Sequence, residues 1–467
     1  MALDISIFEI INPSRYLSFT IPNPILNPSL SSPLIRIAIL DSPIHPTTPS
    51  SPSSSSSSPP TPNVAAMFVP KHRESDWLFS TEAGHLQLLL SSSNIQRLIL
   101  IGQQPIINGP GSHSVYRRPI DSDSLNNLEM TLKPLVIALS PKNYFKNGNV
   151  EVPFLSYEDN VISSLVLEKC VGNFVGEMLV EDVEIESSDQ GREFRRRLRF
   201  KRMPNLIQTE IRIVPKRVFC MDSFEIGGHN VEFSHDLGVL VHVYLVPMVA
   251  SLTLIGSRIE EHVQVGLRPK ALCLGVGGGA LVGFLKAQLG FHVVGVEIDE
   301  EVLRVAWKYF GLEDGDFIQA FVGDGMEFMA KLARGDGCHE GVGHLDPQFD
   351  VIMVDLDSGD LINGVSAPPL EFVRKDVFLA ARSILCESGI FVINVIPPSR
   401  SFYETLIHDF QEVFPELYEI DVGNGENFVL IARALPTVSF ISDCENNFLK
   451  KLRLAISGAY MDSIKRI

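Results

Sequence analysis

The sequence has few cysteines, and none of them are spaced as metal ligands or as a redox motif. Its 467 residues contain six cysteines, and no two form a Cys-x-x-Cys pair. A zinc site and a disulfide-dependent fold are therefore not expected, and the scattered thiols favour a reducing compartment. We accordingly predict no metal ion and a cytoplasmic location.

Long apolar runs and an excess of positive charge are also missing. A membrane-spanning helix needs roughly 18 to 20 uncharged residues. The longest candidate run, 237–255, contains His242 and Pro247, and it is predicted to form a pair of buried helices instead. The 39 basic and 56 acidic residues give a net charge of −17. This balance argues against binding to nucleic-acid phosphates and favours a basic protein partner. No membrane or nucleic-acid partner is expected.

The N-terminal region lacks the charged and apolar segments of a secretory signal. Strand-like runs at 16–21 and 34–40 predict a hairpin, and the segment 47–62, with six consecutive serines, predicts a polar loop. The Ser/Pro-rich composition leaves a chloroplast transit peptide as an alternative. Asp4, Glu9 and the first strand-like run argue against it.

The length of the chain predicts two domains. Short β-like runs between residues 150 and 214 predict a β-rich α+β domain over 1–228, with a boundary near Gly227 and Gly228 and a second domain over 229–467. The basic segment 194–202 alternates with Phe194, Leu198 and Phe200. It is predicted to be a strand with its arginines in solvent; a docking site for an acidic partner is the alternative.

A glycine turn between two apolar runs is the most informative motif of the second domain. The run 271–274 is followed by Gly275, Gly277, Gly278 and Gly279, and then by a predicted helix. Glycines alone also fit a tight turn or close helix packing. Glu297, however, ends the next apolar run 22 positions after Gly275, where a carboxylate can accept hydrogen bonds from both hydroxyls of a ribose. The spacing therefore predicts a pocket for a nucleoside cofactor.

Two later apolar runs end in acidic residues. Residues 317–322 lead to Gly323, Asp324 and Gly325, and residues 349–354 lead to Asp355 and Asp357. Strands alternate with predicted helices at 280–289, 300–310, 325–334, 371–385 and 401–413, which indicates a doubly wound, mostly parallel α/β sheet of seven strands. Since ligands bind at the carboxyl ends of such strands, these acids and glycines are expected to converge on one crevice.

At these residues the sequence resembles the S-adenosylmethionine-dependent methyltransferases, in the branch shared with spermidine synthase. The similar segments are Val-Val-Gly-Val-Glu297-Ile-Asp-Glu-Glu-Val and Val322-Gly-Asp-Gly-Met-Glu-Phe-Met329. The resemblance implies S-adenosyl-L-methionine as the cofactor. It implies as cofactor-binding residues Gly275, Gly277, Gly278, Gly279, Glu297, Ile298, Asp324, Gly325 and Asp355.

Further segments resemble the methyltransferase-like protein 13 family, and the resemblance covers roughly residues 64–467. They include Arg73-Glu-Ser-Asp-Trp77-Leu-Phe79, Gln208-Thr-Glu-Ile-Arg212, Phe349-Asp-Val-Ile-Met-Val-Asp355-Leu-Asp357-Ser358 and Tyr460-Met-Asp-Ser-Ile-Lys-Arg-Ile467. That family implies a two-headed enzyme acting on elongation factor 1-alpha, whose C-terminal domain methylates the N-terminal α-amine of its substrate. Only one cofactor fingerprint is present here, so the lysine-directed activity is not implied.

Methyl transfer from a sulfonium mainly requires an aligned, unprotonated nucleophile. An α-amine with a pKa of about 7.7 to 8.0 is roughly a tenth neutral near pH 7, whereas lysine, near 10.4, is almost fully charged. Asp355 and Asp357 are predicted as the catalytic residues that orient this amine. In the alternative interpretation, Asp355 contacts only the amino group of the cofactor's methionine or caps a turn.

Two other functions stay open at this point. An aminopropyltransferase like spermidine synthase loses support because Asp355-Leu-Asp-Ser358 replaces Asp-Ser-Ser-Asp, and His235-Asp236 stands where a Tyr-Gln-Glu motif is expected. His235 itself either lines an acceptor channel or caps a helix. A non-catalytic scaffold that binds the cofactor is the third possibility. The oligomeric state is not predicted.

Overall fold

Apolar runs form strands throughout the chain, and in the second half helices separate them. The computed structural model describes residues 5–24, 33–44, 63–92, 94–104, 115–119, 123–145, 151–187, 191–216, 226, 232–335, 348–360, 364–423, 425–436 and 446–467. The predicted loop at 47–62 and the predicted boundary at Gly227 and Gly228 lie outside these residues.

Contacts group the chain into two compact units. The first comprises Met1–Val166, Val183–Glu193 and Lys201–Leu206, and the second comprises Leu167–Asp182, Phe194–Phe200 and Ile207–Ile467. The division at residue 228 stays a prediction. The second unit nevertheless includes strand segments that precede residue 228, because the side chains and amides of these segments form hydrogen bonds with residues beyond 270.

The first half of the chain contains eleven strands among the described residues. An antiparallel hairpin of the first two, with Tyr16 opposite Leu40, confirms the predicted hairpin. A five-stranded sheet has the order β1-β2-β4-β3-β6, and a six-stranded sheet has the order β11-β10-β9-β8-β7-β5. The strands are β1 (Tyr16–Pro22), β2 (Leu34–Asp41), β3 (Val64–Phe68), β4 (Arg97–Gln103), β5 (Val115–Arg117), β6 (Phe154–Leu155), β7 (Val161–Gly172), β8 (Gly176–Glu186), β9 (Arg192–Phe200), β10 (Ile207–Pro215) and β11 (Phe233–Asp236).

Helices cover the five-stranded sheet and complete its core. They are α1 (Trp77–Ser80), α2 (Glu82–Ser91), α3 (Asp123–Ala138) and α4 (Lys142–Phe145). Ile37, Ile99 and Leu132 pack in one apolar cluster, while Leu98 packs with Leu88 in another. Alternate residues of each strand thus serve two apolar layers, as the two-residue period of a strand requires.

The arginines of β9 do not form the solvent-exposed face that the sequence predicted. Arg195 and Arg197 form salt bridges with Glu210 on β10, and Arg196 bridges Asp182 on β8, with Arg196 only 12% exposed. The exposure prediction is wrong because neighbouring strands place carboxylates directly beside these arginines, where opposite charges stabilise each other. Phe194, Leu198 and Phe200 are buried, as predicted.

The C-terminal half forms an eight-stranded sheet with the order β14-β13-β12-β15-β18-β20-β19-β21. The pairs from β14 through β18 are parallel, and β20, β19 and β21 add antiparallel pairs. The predicted doubly wound fold is confirmed, with a two-residue eighth strand added. The strands are β12 (Lys270–Leu274), β13 (His292–Glu297), β14 (Ile318–Val322), β15 (Phe349–Val354), β16 (Ser358–Asp360), β17 (Gly364–Ser366), β18 (Leu385–Val395), β19 (Glu416–Asp421), β20 (Phe428–Arg433) and β21 (Lys465–Arg466).

Helices connect these strands at nearly the predicted positions. The predicted helix 280–289 is α-helical only to Phe284 and continues as a π-helix over Leu285–Leu289, and the predicted helix 371–385 starts as a 3-10 turn at Leu370–Val373. The α-helices are α5 (Leu245–Ala250), α6 (Gly256–Gln264), α7 (Ala280–Phe284), α8 (Glu300–Tyr309), α9 (Gly325–Arg334), α10 (Lys375–Ile384), α11 (Arg400–Val413) and α12 (Asn447–Ala455).

Both faces of the eight-stranded sheet are buried. Ala271 and Met353 belong to one apolar cluster, whereas Leu272 and Ile352, one position away on the same strands, belong to the other. Because residues alternate between the faces, most positions of the parallel strands are apolar. Polar residues such as Gln319 on β14 and Asn394 on β18 interrupt these runs.

The apolar segment 237–255 is helical only in its second part. Helix α5 begins at Leu245, and a 3-10 helix follows over Ser251–Ile255. Both pack into the apolar cluster on one face of the sheet. Within the described ranges, no helix combines the length and the hydropathy that crossing a membrane requires.

Phe410→Ala is expected to destabilise the second unit by about 3 to 5 kcal/mol, because it leaves a cavity in a close-packed core. The Phe410 ring is fully buried and stacks on Phe378 with a centroid distance of 4.0 Å. Urea unfolding followed by circular dichroism measures the change. Leu454→Ala, at a side chain 83% exposed, is the control and should change stability by less than about 0.5 kcal/mol. Equal effects of the two substitutions would contradict the packing described.

Candidate cofactor and acceptor site

The glycine turn after β12 lies against the backbone of the segment that follows β15. Gly275 has φ +85°, and a Cβ at this position would lie 2.1 Å from the carbonyl oxygen of Asp355. Only glycine adopts this conformation and permits this approach without strain. Gly279 ends the turn and starts helix α7. The turn therefore presents bare backbone at the carboxyl edge of the sheet.

Glu297 binds this glycine turn from the end of the neighbouring strand. Its Oε2 accepts hydrogen bonds from the amides of Val276 and Gly277, each at 3.1 Å, and its Oε1 lies 3.4 Å from the amide of Asp299. Burial raises the pKa of the Glu297 carboxyl, and these amide hydrogen bonds oppose the shift. The structure thus places Glu297 beneath the turn. Its contact with a ribose stays a prediction.

Backbone hydrogen bonds bring the ends of β14, β13, β12 and β15, four neighbouring parallel strands, to one edge. The amide of Gly275 donates to Val296, that of Gly323 donates to Glu297, and that of Asp355 donates to Leu274, at 3.0, 2.8 and 2.9 Å. The chain leaves β12 towards β13 on one side and β15 lies on the other side. The ends of these segments are therefore adjacent, as expected. A reversal of this kind opens a crevice in parallel sheets, and binding of a ligand there stays a prediction.

The remaining predicted cofactor residues lie at the ends of β13 and β14. Ile298 follows Glu297 and is 39% exposed. Asp324 caps helix α9, because its Oδ1 accepts the amides of Met326 at 2.8 Å and Glu327 at 3.0 Å. Gly325 is the first residue of that helix. The cap holds Asp324 in place, while a contact with adenine stays a prediction.

Asp355 is the most perturbed carboxylate of this edge. Its Oδ2 accepts a hydrogen bond from the hydroxyl of Tyr244 at 3.2 Å. Burial raises the pKa of Asp355 to about 7, the negative charge of Asp357 adds to the shift, and the Tyr244 hydrogen bond opposes it. A group that titrates near neutral pH can accept a proton and release it again, as a general base requires. Asp355 and Asp357 are thus close enough to interact electrostatically.

Three residues near this edge were not predicted from the sequence. The hydroxyl of Thr209 on β10 accepts the amide hydrogen of Gly278 at 2.8 Å. Tyr244 precedes helix α5. Asn394 on β18 follows Ile393, which pairs with Val354, so Asn394 flanks Asp355. It is 4% exposed, and its Oδ1 has no hydrogen-bond partner among the described residues.

The signals for these residues were weak. Thr209 lies in a segment that shares the family resemblance, but nothing in that segment shows which side chain points at the glycines. Asn394 interrupts the apolar run Phe391-Val-Ile-Asn-Val395, and a buried amide in such a run is a recognisable sign of a site. Tyr244 has no distinguishing neighbours in the sequence.

His235 belongs to strand β11, and its side chain lies beside the C-terminal end of helix α8. Its Nε2 is 3.2 Å from a guanidinium nitrogen of Arg196. Burial and Arg196 lower the pKa of His235, while a hydrogen bond with the carbonyl of Tyr309 opposes the shift. This contact with the last residue of α8 agrees with the helix-capping interpretation.

The fold and this edge define a Rossmann-like α/β domain of the kind found in methyltransferases. No family model matches the chain. It is 27% identical over 387 residues to the eEF1A lysine and N-terminal methyltransferase of Homo sapiens, an alignment that covers 80% of this chain and 51% of that protein. The protein of the same name in Danio rerio is 28% identical over 387 residues, with the same coverage. The chain spans about half the length of these relatives.

A solved structure of human methyltransferase-like protein 13 in complex with SAH is also similar. It is 26% identical and has a TM-score of 0.40, and the match covers 46% of this chain and 93% of that chain. The resemblance that the motifs predicted is confirmed by the sequence relatives.

Thr209→Val is expected to weaken binding of S-adenosylhomocysteine about tenfold, because an unsatisfied buried amide costs about 1 to 3 kcal/mol. The substitution removes the acceptor of the Gly278 amide while keeping the size of the side chain. Titration calorimetry measures the affinity. Thr209→Ser keeps the hydroxyl and is expected to bind within about twofold of the original chain. An unchanged affinity for the valine variant would show that Thr209 does not support the turn.

Proposed function

We propose that the chain is an S-adenosylmethionine-dependent methyltransferase that acts on an amine of a protein, with the N-terminal α-amine of elongation factor 1-alpha as the candidate acceptor. One observation carries the proposal. The glycine turn, Glu297, Asp324 and Asp355 meet at one edge of a parallel sheet, in a chain similar to methyltransferases. Activity on lysine is not part of the proposal.

The residues at this edge suit an adenosyl cofactor with a charged amino acid tail. The turn offers backbone without side chains at Gly275, Gly277, Gly278 and Gly279, and acidic side chains lie at or just after the ends of three successive strands. We propose that the glycines hold the methionine portion, Glu297 the ribose, and Asp324 with Ile298 the adenine. When bound, S-adenosyl-L-methionine supplies a methyl group that is already activated by its sulfonium.

Asp355 and Asp357 are proposed to prepare the acceptor. An ionised Asp355 accepts a hydrogen bond from the incoming ammonium group and takes its proton, which leaves the nitrogen lone pair free. A carboxyl pKa of about 7 lies within about one unit of the pKa of an α-amine, so this transfer is nearly balanced in energy. Lysine, with a pKa near 10.4, would give up its proton far less readily. This difference favours an α-amine.

The partner and location follow from charge and composition. A net charge of −17 favours a basic protein substrate and disfavours nucleic acid. We propose a cytoplasmic location, with the chloroplast as the alternative. A fusion of the chain to a fluorescent protein, imaged in living cells, distinguishes the two.

Transfer of a tritiated methyl group tests the function. The purified chain is incubated with methyl-labelled S-adenosylmethionine and elongation factor 1-alpha that has a free N-terminus, and the label is located by mass spectrometry of the N-terminal peptide. The same factor with an acetylated N-terminus is the matched control. Label on the free α-amine alone supports the proposal. Label on neither protein, with S-adenosylhomocysteine still bound, would favour a binding scaffold, and a polyamine product from decarboxylated cofactor and putrescine would favour an aminopropyltransferase.

Asp355→Asn is expected to lower kcat at least about 100-fold, because general-base catalysis contributes about 10² to 10⁴ in rate. The amide keeps the shape of the side chain but cannot take a proton. The affinity for S-adenosylhomocysteine, measured by calorimetry, should change less than about threefold if Asp355 serves the acceptor. A large loss of affinity with little loss of kcat would instead assign Asp355 to the amino group of the cofactor's methionine.

A further inference from the structure

The hydroxyl of Tyr244 contacts Asp355, a carboxylate at this edge whose pKa burial raises to about 7. It lies 3.2 Å from Asp355 Oδ2, although 111 residues separate the two in sequence. The ring of Tyr244 stacks on His242 with a centroid distance of 5.5 Å and an angle of 29°. The ring is thereby held on one face, and the hydroxyl has a defined direction towards Asp355.

We propose that Tyr244 is a positioning residue for Asp355, since its hydroxyl occupies one carboxylate oxygen and leaves the other to face the acceptor amine. The proposal rests on the proposed methyl transfer and adds a residue to it. Tyr244 does not touch the reacting atoms. Its role is to select one orientation of the Asp355 side chain and to stabilise the ionised form.

The surroundings of Asp355 explain why one hydroxyl matters. Of the described residues, only Tyr244 donates a hydrogen bond to this carboxylate. Asp357 repels it from the same loop, and the buried thiol of Cys273 on β12 interacts with it electrostatically. Burial and the charge of Asp355 raise the pKa of Cys273, so this thiol stays neutral. The amide of Asn394, next along the sheet edge, carries no charge.

His242, which stacks on Tyr244, does not supply a positive charge that would stabilise the ionised Asp355. Burial lowers the pKa of His242, and Arg195 and Arg197 oppose its protonation further, while Glu210 favours it. The imidazole is therefore neutral at physiological pH, and its contact with Tyr244 is one of packing. Burial and the nearby Asp355 and Asp357 raise the pKa of Tyr244 well above its usual value, so the hydroxyl keeps its proton. Tyr244 thus remains a hydrogen-bond donor over the working pH range.

The sign of the effect follows from which form the hydrogen bond favours. A donor stabilises the ionised carboxylate and so lowers its pKa. Loss of the hydroxyl should therefore raise the pKa of Asp355, and the ionised form would appear only at higher pH. A hydrogen bond to a charged group corresponds to a shift of about one pH unit or more.

Tyr244→Phe, followed by carbon-detected NMR of the full chain labelled at aspartate carboxyl carbons, tests the proposal directly. Asp355→Asn identifies the Asp355 signal by its loss. We expect a titration midpoint near 7 in the original chain and about one unit higher in the Phe variant. An unchanged or lower midpoint would overturn the proposal.

Tyr403→Phe is the matched control. The hydroxyl of Tyr403 also bonds a carboxylate, Glu419, and its ring also stacks on a neighbour, Phe428. It lies on helix α11, outside the site. This variant loses an equivalent hydrogen bond, yet it should leave the Asp355 midpoint where it was. A shift in the control equal to that of Tyr244→Phe would show a general change in stability and count against the proposal.

Activity separates this inference from the proposed function. In Tyr244→Phe, the acidic limb of the kcat profile should move to higher pH with the Asp355 midpoint, while the KM for the cofactor at pH 9 stays within about twofold. Absence of methyl transfer by the original chain would refute the function and leave the titration result standing. A uniform loss of kcat at every pH, with no displaced limb, would refute the inference alone.

Tyr244→Phe removes a single oxygen atom and keeps the ring that stacks on His242. Circular dichroism of the variant is therefore expected to match that of the original chain, and this measurement confirms that the two titrations compare the same fold.

Discussion

A buried carboxylate beneath a glycine turn organises the candidate site. Glu297 accepts two amide hydrogens of the turn after β12, although it belongs to the end of β13. The amides that it accepts, those of Val276 and Gly277, have no partner in the strand ladder, and burying them unpaired would destabilise the fold. One side chain thus satisfies the backbone and fixes the height of the turn against the sheet. Gly275 and Asp355 lie at this same edge of the sheet.

The glycine turn is also held from a second direction. Thr209 on β10 accepts the Gly278 amide, and Asp299, two residues after Glu297, accepts the amides of Phe174 and Val175 at 2.7 and 3.0 Å. All of these residues belong to the second compact unit. Backbone groups in the turn therefore bond both to the sheet that follows them and to strands that come much earlier in the chain. We infer that the geometry of the pocket depends on both.

Much of the second unit was predictable because its periodicity is simple. Strands buried on both faces are mostly continuous apolar runs, and the helices between them have apolar residues every three to four positions. Many polar residues follow the strand ends. Glu297, Asp324 and Asp355 could therefore be placed at one edge before any coordinates were known. Bounds differed where local rules compete, as at Phe284, where the α-helix passes into a π-helix.

The sequence did not predict which side chains far apart in the chain contact each other. Nothing near Tyr244 indicates that it meets Asp355, and nothing near Thr209 indicates that it meets Gly278, because such pairs depend on how separate elements pack. The arginines of β9 illustrate the same limit. Alternation with Phe194 and Phe200 predicted a strand correctly, but solvent exposure depended on Asp182 and Glu210, which neighbouring strands supply.

The contact between Gly172 and Asp299 bears on how this protein can be divided. A Cβ at residue 172 would lie 2.4 Å from the Asp299 carboxylate, so the β7–β8 turn fits against the start of helix α8 with no room for a side chain. A fragment starting at residue 229 would lose that turn together with Thr209, and it would leave the Asp299 carboxylate and the Gly278 amide without these partners. Expression of an autonomous catalytic piece would therefore need to retain the chain from before residue 167.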